Sequence, residues 1–514
     1  MSRPWKHRLR CAARQALCCV LAWPLAGWAQ APAAGTAFGP VQGAMQGGVA
    51  VFRGLPFAAP PVGDLRWRAP QPVPPWASAR QAVAAAPSCP QKRGLSLEGG
   101  GDPGELDEDC LYLNVFTPRA ETGAKLPVMV WIHGGALIFG GGGLALYDGS
   151  ALARRGVVVV TINYRLGPLG FFAHPALDKE SPAGPVNFGL LDQIAALTWV
   201  RQNIASFGGD PDRVTVFGQS AGAQSVLALM ASPLAAGLFK GAIAESPYGV
   251  PSHTRVQARA TGAAIATAVG LPGAQAGMDA LRRIPAARLA SLEGKALSLA
   301  PGFVVGDAAV PAPLLEAFQQ GREAAVPLII GSNSDDASVA IAFGIEPAQL
   351  VRKLGRARVL LQPLYPGVDD ASQLGREVAR DVVFTAFARR IAYLHSRKSA
   401  TWRYYFSHAG AGHGAEVPFV LGTVRQCECL GRPATPLDLA IEDRLGGRWT
   451  AFAISGKPDG GVLWQPDNRV RGLALEIGDQ ETPRPAFMSR RLNVLITGLN
   501  VAGSRSARQQ PAAR

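Results

Sequence analysis

Gly218-Gln219-Ser220-Ala221-Gly222 decides how the rest of the chain is read. Before it lies Arg213-Val214-Thr215-Val216-Phe217, a β-branched apolar run that reads as a buried strand. After it, Ala223 to Met230 reads as a helix. Gly-x-Ser-x-Gly between a strand and a helix is a nucleophile elbow. The serine sits on a turn too sharp for ordinary side chains on both flanks. That turn lifts the hydroxyl clear of the sheet at the amino end of the helix. There the backbone N–H of Ala221 can face a developing oxyanion. The strand and helix around the pentapeptide distinguish it from a chance match in a glycine-rich chain.

Upstream, Leu126 to Ile132 and Val157 to Ile162 are continuous apolar runs, as expected of strands buried on both faces of a mostly parallel sheet. Between them lie His133-Gly134-Gly135-Ala136 and Gly140 to Gly143. Glycines directly after a strand let backbone N–H groups approach a ligand, and a His-Gly-Gly loop here supplies the second half of an oxyanion hole. Asn187 to Phe207 carries apolar residues at helical spacing and predicts an amphipathic helix, which Gly208-Gly209-Asp210-Pro211 ends. Residues 255–320 are Ala/Arg-rich and helical in pattern, read as inserted cap helices. The strand Val326 to Ile330 runs into Gly331-Ser332-Asn333-Ser334-Asp335-Asp336. The aromatic strand Trp402 to Ser407 runs into a glycine-rich loop with His408 and His413. The stretch Phe52 to Trp67 reads as irregular and fixed by proline. The expected fold is an α/β-hydrolase, with a large, mostly parallel central sheet flanked by helices.

A serine hydroxyl becomes a nucleophile when an imidazole takes its proton, and the imidazole needs a carboxylate to fix its tautomer. In this fold the chain order is Ser, then Asp or Glu, then His. Ser220, Asp335 or Asp336, and His408 or His413 satisfy that order, each beyond a predicted strand. Seven histidines limit the choice, and His133 and His174 suit packing or loop roles. This chemistry calls for no metal and no cofactor.

Composition agrees with one large domain, placed at residues 40–503, because 514 residues at 48% hydrophobic can fill a single large core. The net charge of +14 is concentrated at the start, in Arg3, Lys6, Arg8, Arg10 and Arg14. Ala16 to Ala26 follows, apolar but too short and too broken by Pro24 to span a bilayer. With small residues at Gly27 and Ala29, residues 1–29 form a secretory signal peptide, so the mature chain is expected outside the cytoplasm with no membrane anchor. Five charges leave with the leader, so the mature chain keeps +9 of the +14. Residues 504–514 form a polar basic tail. No basic stripe interleaved with aromatics exists, which argues against a nucleic-acid partner. Four cysteines remain after the leader: Cys89, Cys110, Cys427 and Cys429. An even number in an exported chain suggests disulfides. Cys427 and Cys429, one residue apart, fit neither an unstrained bridge nor a metal site.

The matches now extend beyond single motifs. FRGLPFAAPPVGDLRW from Phe52, Glu108 to Asn114, WIHGGA from Trp131, Asn163 to Gly167, NFGLLDQ from Asn187, GGDPDRVTVFGQSAG from Gly208 and Gly410 to Glu416 occur in order over nearly the whole mature chain. In these the chain resembles the carboxylesterase/cholinesterase (type B carboxylesterase) family, in its bacterial para-nitrobenzyl-esterase-like branch. The resemblance implies Ser220 as nucleophile, His413 rather than His408 as base, and an oxyanion hole from the N–H groups of Gly135, Ala136 and Ala221. It also implies a Cys89–Cys110 bridge, and it aligns Asp336 with the family's acid. Two departures stand out. The family's acid is usually Glu, one methylene longer than Asp336, and the residue before the nucleophile is often Glu where Gln219 stands here.

The implied reaction is hydrolysis of small-molecule carboxylic esters through an acyl-enzyme. The same machinery could open amides or carbamates. A non-catalytic, cholinesterase-like binding domain is the alternative from another class, and such domains typically lose the Ser or the His, which this chain keeps. Choline recognition would need an aromatic face for cation–π attraction. The stretch between Cys89 and Cys110 contains no Trp, Tyr or Phe, and Gln219 brings no charge. Neutral or anionic esters are therefore the expected substrates.

Overall fold

The computed structural model describes residues 31–497, apart from 95–100, 250–251, 293–301, 459–462, 468–471 and most of 343–360. The proposed leader and the basic tail lie outside the described residues.

The main sheet is built in chain order from β1 (Ala44–Gln46), β2 (Val49–Pro56), β3 (Tyr112–Thr117), β4 (Leu126–Ile132), β5 (Val158–Ile162), β6 (Gly209–Gln219), β7 (Gly241–Glu245), β8 (Leu328–Asn333), β9 (Thr401–Phe406), β10 (Ala474–Ile477) and β11 (Glu481–Arg484). Its spatial order is β11-β10-β9-β8-β7-β6-β4-β5-β3-β2-β1. All neighbours from β5 to β10 are parallel, and antiparallel pairs occur only toward the edges. Parallel strands need crossover helices on both faces, and this is why β4 and β5 are apolar without alternation. Val128, Val130 and Ile132 pack on one face and Met129 and Trp131 on the other.

The first face is covered by α1 (Phe188–Asn203) and α2 (Ala221–Ala231), through residues such as Leu190 and Val226. Further along the chain lie α3 (Arg255–Ala268), α4 (Ala371–Arg380), α5 (Ala386–His395) and α6 (Pro436–Ser455). The α5 residue Ile391 joins the first face, and Ile441, Leu445 and Trp449 of α6 cover the second. The cap region has its own apolar cluster, where Ile265 and Leu281 meet Trp67 and Phe172. Arg66 ties this cap to the body, because its guanidinium pairs with Glu108 and also donates to the carbonyls of Arg282 and Ile284.

Several local expectations shift. The helix of the 187–207 stretch, α1, buries polar positions along with apolar ones and leaves Leu191 and Ile194 only half-buried. Asp192 is paired with Arg165, and Gln193 Nε2 donates to Ser225 Oγ inside the protein. Strand β8 runs three residues past Ile330, because Gly331 lies under the Tyr404 ring, where a β-carbon would overlap it. Part of the proline-rich stretch is strand: β2 reaches Pro56 through a register shift between Phe52 and Leu55.

Cys89 and Cys110 form a disulfide spanning 21 residues. Cys427 and Cys429 are also bonded to each other. The Cys89–Cys110 bridge restricts the unfolded chain, so replacing both cysteines by Ala should cost about 3 kcal/mol in stability. Urea unfolding of the double variant beside the parent checks this, and an unchanged midpoint would contradict it.

Candidate active site

The site is assembled where β6, β7, β8 and β9 end on one edge of the sheet. Ser220 joins β6 to α2 with φ 56° and ψ −119°, a region costing on the order of 1–3 kcal/mol for a residue with a side chain. Its flanking glycines are required by space. A methyl on Gly222 would overlap the Ile132 carbonyl oxygen, and one on Gly218 would press on that oxygen and on Gly222. The Ser220 N–H donates to the Glu245 carbonyl at 2.8 Å, and its own carbonyl accepts the Gln224 N–H at 2.9 Å, so the strained residue is anchored on both sides.

The loop after β4 folds against this turn. Gly135 (φ 92°), Ala136 (φ 53°) and Leu137 (φ 63°) all have left-handed backbones. The Gly135 carbonyl accepts the N–H groups of Ile138 and Phe139 at 2.9 and 3.1 Å. A β-carbon on Gly134 would lie 3.2 Å from Ser220 Cβ, so the loop passes directly beside the serine. Gly135 and Ala136 thus approach the elbow together with Ala221 at the first turn of α2, where the helix dipole favours negative charge.

His413 lies between the serine and an acid. Ser220 Oγ–H donates to His413 Nε2 at 2.8 Å, and His413 Nδ1–H donates to Asp336 Oδ1 at 2.7 Å. Asp336 is fully buried. Its Oδ2 accepts the Asn333 N–H at 2.6 Å and the Ser246 hydroxyl at 3.0 Å. The shorter acid is accommodated by lacing its loop to the histidine loop. Asp335 N–H donates to the Ala411 carbonyl, Asn333 Nδ2 to the Gly412 carbonyl and His413 N–H to Ser338 Oγ, each at 2.8 Å. Asp335 therefore serves through its backbone, and its half-buried side chain is held above the usual carboxylate range by burial, opposed by Arg376 and Arg380.

The other histidines are engaged elsewhere. His408 is held between Asp438 and Asp479, both at 2.7 Å. His174 caps the short helix Pro175–Glu180. His133 stacks on Tyr164 at 4.3 Å, and burial lowers its pKa to about 4.

Sequence reasoning missed Ser246, Ser338 and Phe384. The Phe384 ring centre lies 4.9 Å from that of His413. It also overlooked a second acidic layer. Glu245 is buried with Oε1 accepting the Trp449 indole N–H at 2.7 Å, and burial with nearby Glu416 raises its carboxyl well above the usual range. Burial and Asp336 push Glu416 up to about 7. Two of these could have been read from position alone, since Glu245 ends a strand beside the elbow and Glu416 follows His413 by three residues. Gln219 places its amide nitrogen 3.3 Å from His413 Nε2.

A buried Ser–His–Asp line on the carboxyl edge of a parallel sheet defines the chain as a hydrolase of α/β-hydrolase fold. The family model of the carboxylesterase family matches residues 30–360. The chain is 38% identical to the fumonisin B1 esterase of Sphingopyxis macrogoltabida over 87% of this chain and 86% of that protein. It is 36% identical to the para-nitrobenzyl esterase of Bacillus subtilis (strain 168), over 82% and 90% of the two chains. A solved Geobacillus stearothermophilus carboxylesterase superposes with TM-score 0.79 at 31% identity, covering 90% of this chain and 99% of that one. The chain belongs to the carboxylesterase family and is a carboxylic ester hydrolase that acts on small-molecule esters.

An amide at position 336 could accept from Nδ1 but could not stabilise an imidazolium. Asp336→Asn is expected to lower kcat on p-nitrophenyl acetate roughly 10³–10⁴-fold. Asp335→Asn should stay within a few-fold of the parent, and the reverse ranking would reassign the acid.

Proposed function

We propose that Ser220, His413 and Asp336 carry the hydrolysis. Ser220 Oγ attacks the ester carbonyl as its proton passes to His413 Nε2. Asp336 holds Nδ1–H and stabilises the imidazolium that forms. The oxyanion takes N–H donors from Gly135, Ala136 and Ala221. His413 then returns the proton to the departing alcohol oxygen, leaving an acyl group on Ser220. Water enters the same place and attacks the acyl carbon as His413 accepts its proton; His413 then passes that proton to Ser220 Oγ as the acyl–oxygen bond breaks, and the acid is released with Ser220 restored. The observation that carries this reading is the unbroken donor line from Ser220 through His413 to a buried carboxylate, 2.8 and 2.7 Å long. That line also weighs against a non-catalytic binding domain.

The segment 1–29 acts as a cleaved export signal, so the enzyme works in the periplasm or outside the cell. The leader's composition and the Cys89–Cys110 disulfide support this location. Substrates are neutral or anionic esters. Gln219 contributes no charge at the serine, and the basic mature chain gives no long-range attraction to cations.

Two measurements test the reading. Ser220→Ala and His413→Ala should each lower kcat by a factor on the order of 10⁴ or more, because such residues act as a unit. His408→Ala should keep most of its activity, since its imidazole is bound to two other acids. An active His413→Ala would remove the assignment. The second measurement compares kcat/KM for acetylcholine with that for an uncharged ester of similar size. The uncharged ester is expected to be preferred, and a choline preference that survives raised salt would refute the charge argument.

A further inference from the structure

Between α4 and α5 the helix does not continue regularly. Residues Asp381–Thr385 form a π-helical turn, in which the Ala386 N–H donates to the Asp381 carbonyl five residues back. Such turns are rare, interrupt α-helices as single turns and are frequent at functional sites. One extra residue rotates everything that follows by about 100°. Here the side chain carried by the turn is Phe384, 4% exposed, whose ring is tilted 47° against His413 and lies edge-on to Tyr248 at 6.4 Å.

The turn is fastened to both loops that approach Asp336. Val383 accepts the Gly249 N–H at 2.8 Å, on the segment that follows Ser246. Thr385 Oγ1 and Ser332 Oγ are 3.1 Å apart, at the end of β8. Arg380, bonded to Asp381 at 2.9 Å, donates to the Ser334 carbonyl at 3.0 Å. The irregular turn, the acid loop and the ring against His413 are therefore parts of one connected unit.

We propose that this π-helical turn is the device that orients the base, with Phe384 as the positioning residue for His413. The inference rests on His413 being the base. His413 can swing about its Cα–Cβ and Cβ–Cγ bonds, and the hydrogen bonds at Nδ1 and Nε2 select one setting. The Phe384 ring packs beside the imidazole and disfavours the others. The need is sharper with an aspartate than with a glutamate, because the shorter acid brings its loop close and tolerates less wandering of the ring. Phe384 touches no reacting atom in this role. It keeps Nε2 aimed first at Ser220 Oγ and then at the leaving oxygen, so its loss should slow turnover on every ester alike.

The experiment is a kinetic series on p-nitrophenyl acetate, butyrate and hexanoate with the parent, Phe384→Ala and Phe384→Leu, beside His413→Ala. Phe384→Ala is expected to lower kcat about ten- to a hundredfold at every acyl length, with KM moving less than about threefold, since misplacing a catalytic group by an ångström costs this much. Phe384→Leu, which keeps much of the bulk but no flat ring, should show a smaller fall in kcat, about three- to tenfold, at unchanged KM. Should the alanine variant fail to fold, the leucine variant alone still decides, by a fall in kcat at constant KM. A change confined to KM, or a gain on the longer acyl chains, would make Phe384 a pocket wall and overturn the proposal; so would unchanged kcat. An active His413→Ala would instead show that the triad reading itself had failed.

Discussion

Gly222, at the start of α2, lies so close to the end of β4 that a β-carbon there would come within 2.0 Å of the Ile132 carbonyl oxygen. No side chain larger than hydrogen fits there. This contact lets α2 begin directly above two neighbouring strands, and the chain can reach that start only by passing Ser220 through a strained backbone. The strain is held by the Glu245 and Gln224 hydrogen bonds and by the packing of α2, whose face is buried from Ala221 to Met230. The same closeness brings the loop after β4 beside Ser220, so the serine turn and the glycine loop are fixed by one piece of steric geometry.

Around that point the site manages buried acid. Three carboxyl groups, Asp336, Glu245 and Glu416, are fully buried on neighbouring elements. Asp336 receives three donors, from His413, Asn333 and Ser246. Glu245 accepts the Trp449 indole N–H, and burial and Glu416 raise its carboxyl well above the usual range. Asn333 joins the two environments, because its backbone N–H serves Asp336 while its amide meets Glu416.

The sequence alone determined the elbow, the parallel strands and the order of the candidate residues. These are local: glycine spacing, apolar runs and loops after strands are written in adjacent positions. It narrowed the acid to Asp335 or Asp336 and the base to His408 or His413, and the family resemblance chose within each pair. Only the tertiary structure set those residues in place, because the choice depends on contacts across many residues. Asp335 and Asp336 have nearly the same local surroundings, yet the backbone pairing of Asp335 with the 411–412 loop turns one carboxylate toward His413 and the other away. His408 and His413 sit in one glycine-rich loop, and what separates them is that Asp438 and Asp479 engage the first. Phe384 was invisible in the sequence, since a π-helical turn is created by what its residues are fastened to, and no local propensity announces it. The polar residues inside α1 were hidden for the same reason: apolar spacing points Leu191 and Ile194 inward with Leu190 and Leu197, but only packing shows that Asp192 and Gln193 are buried while Leu191 and Ile194 stay half-buried.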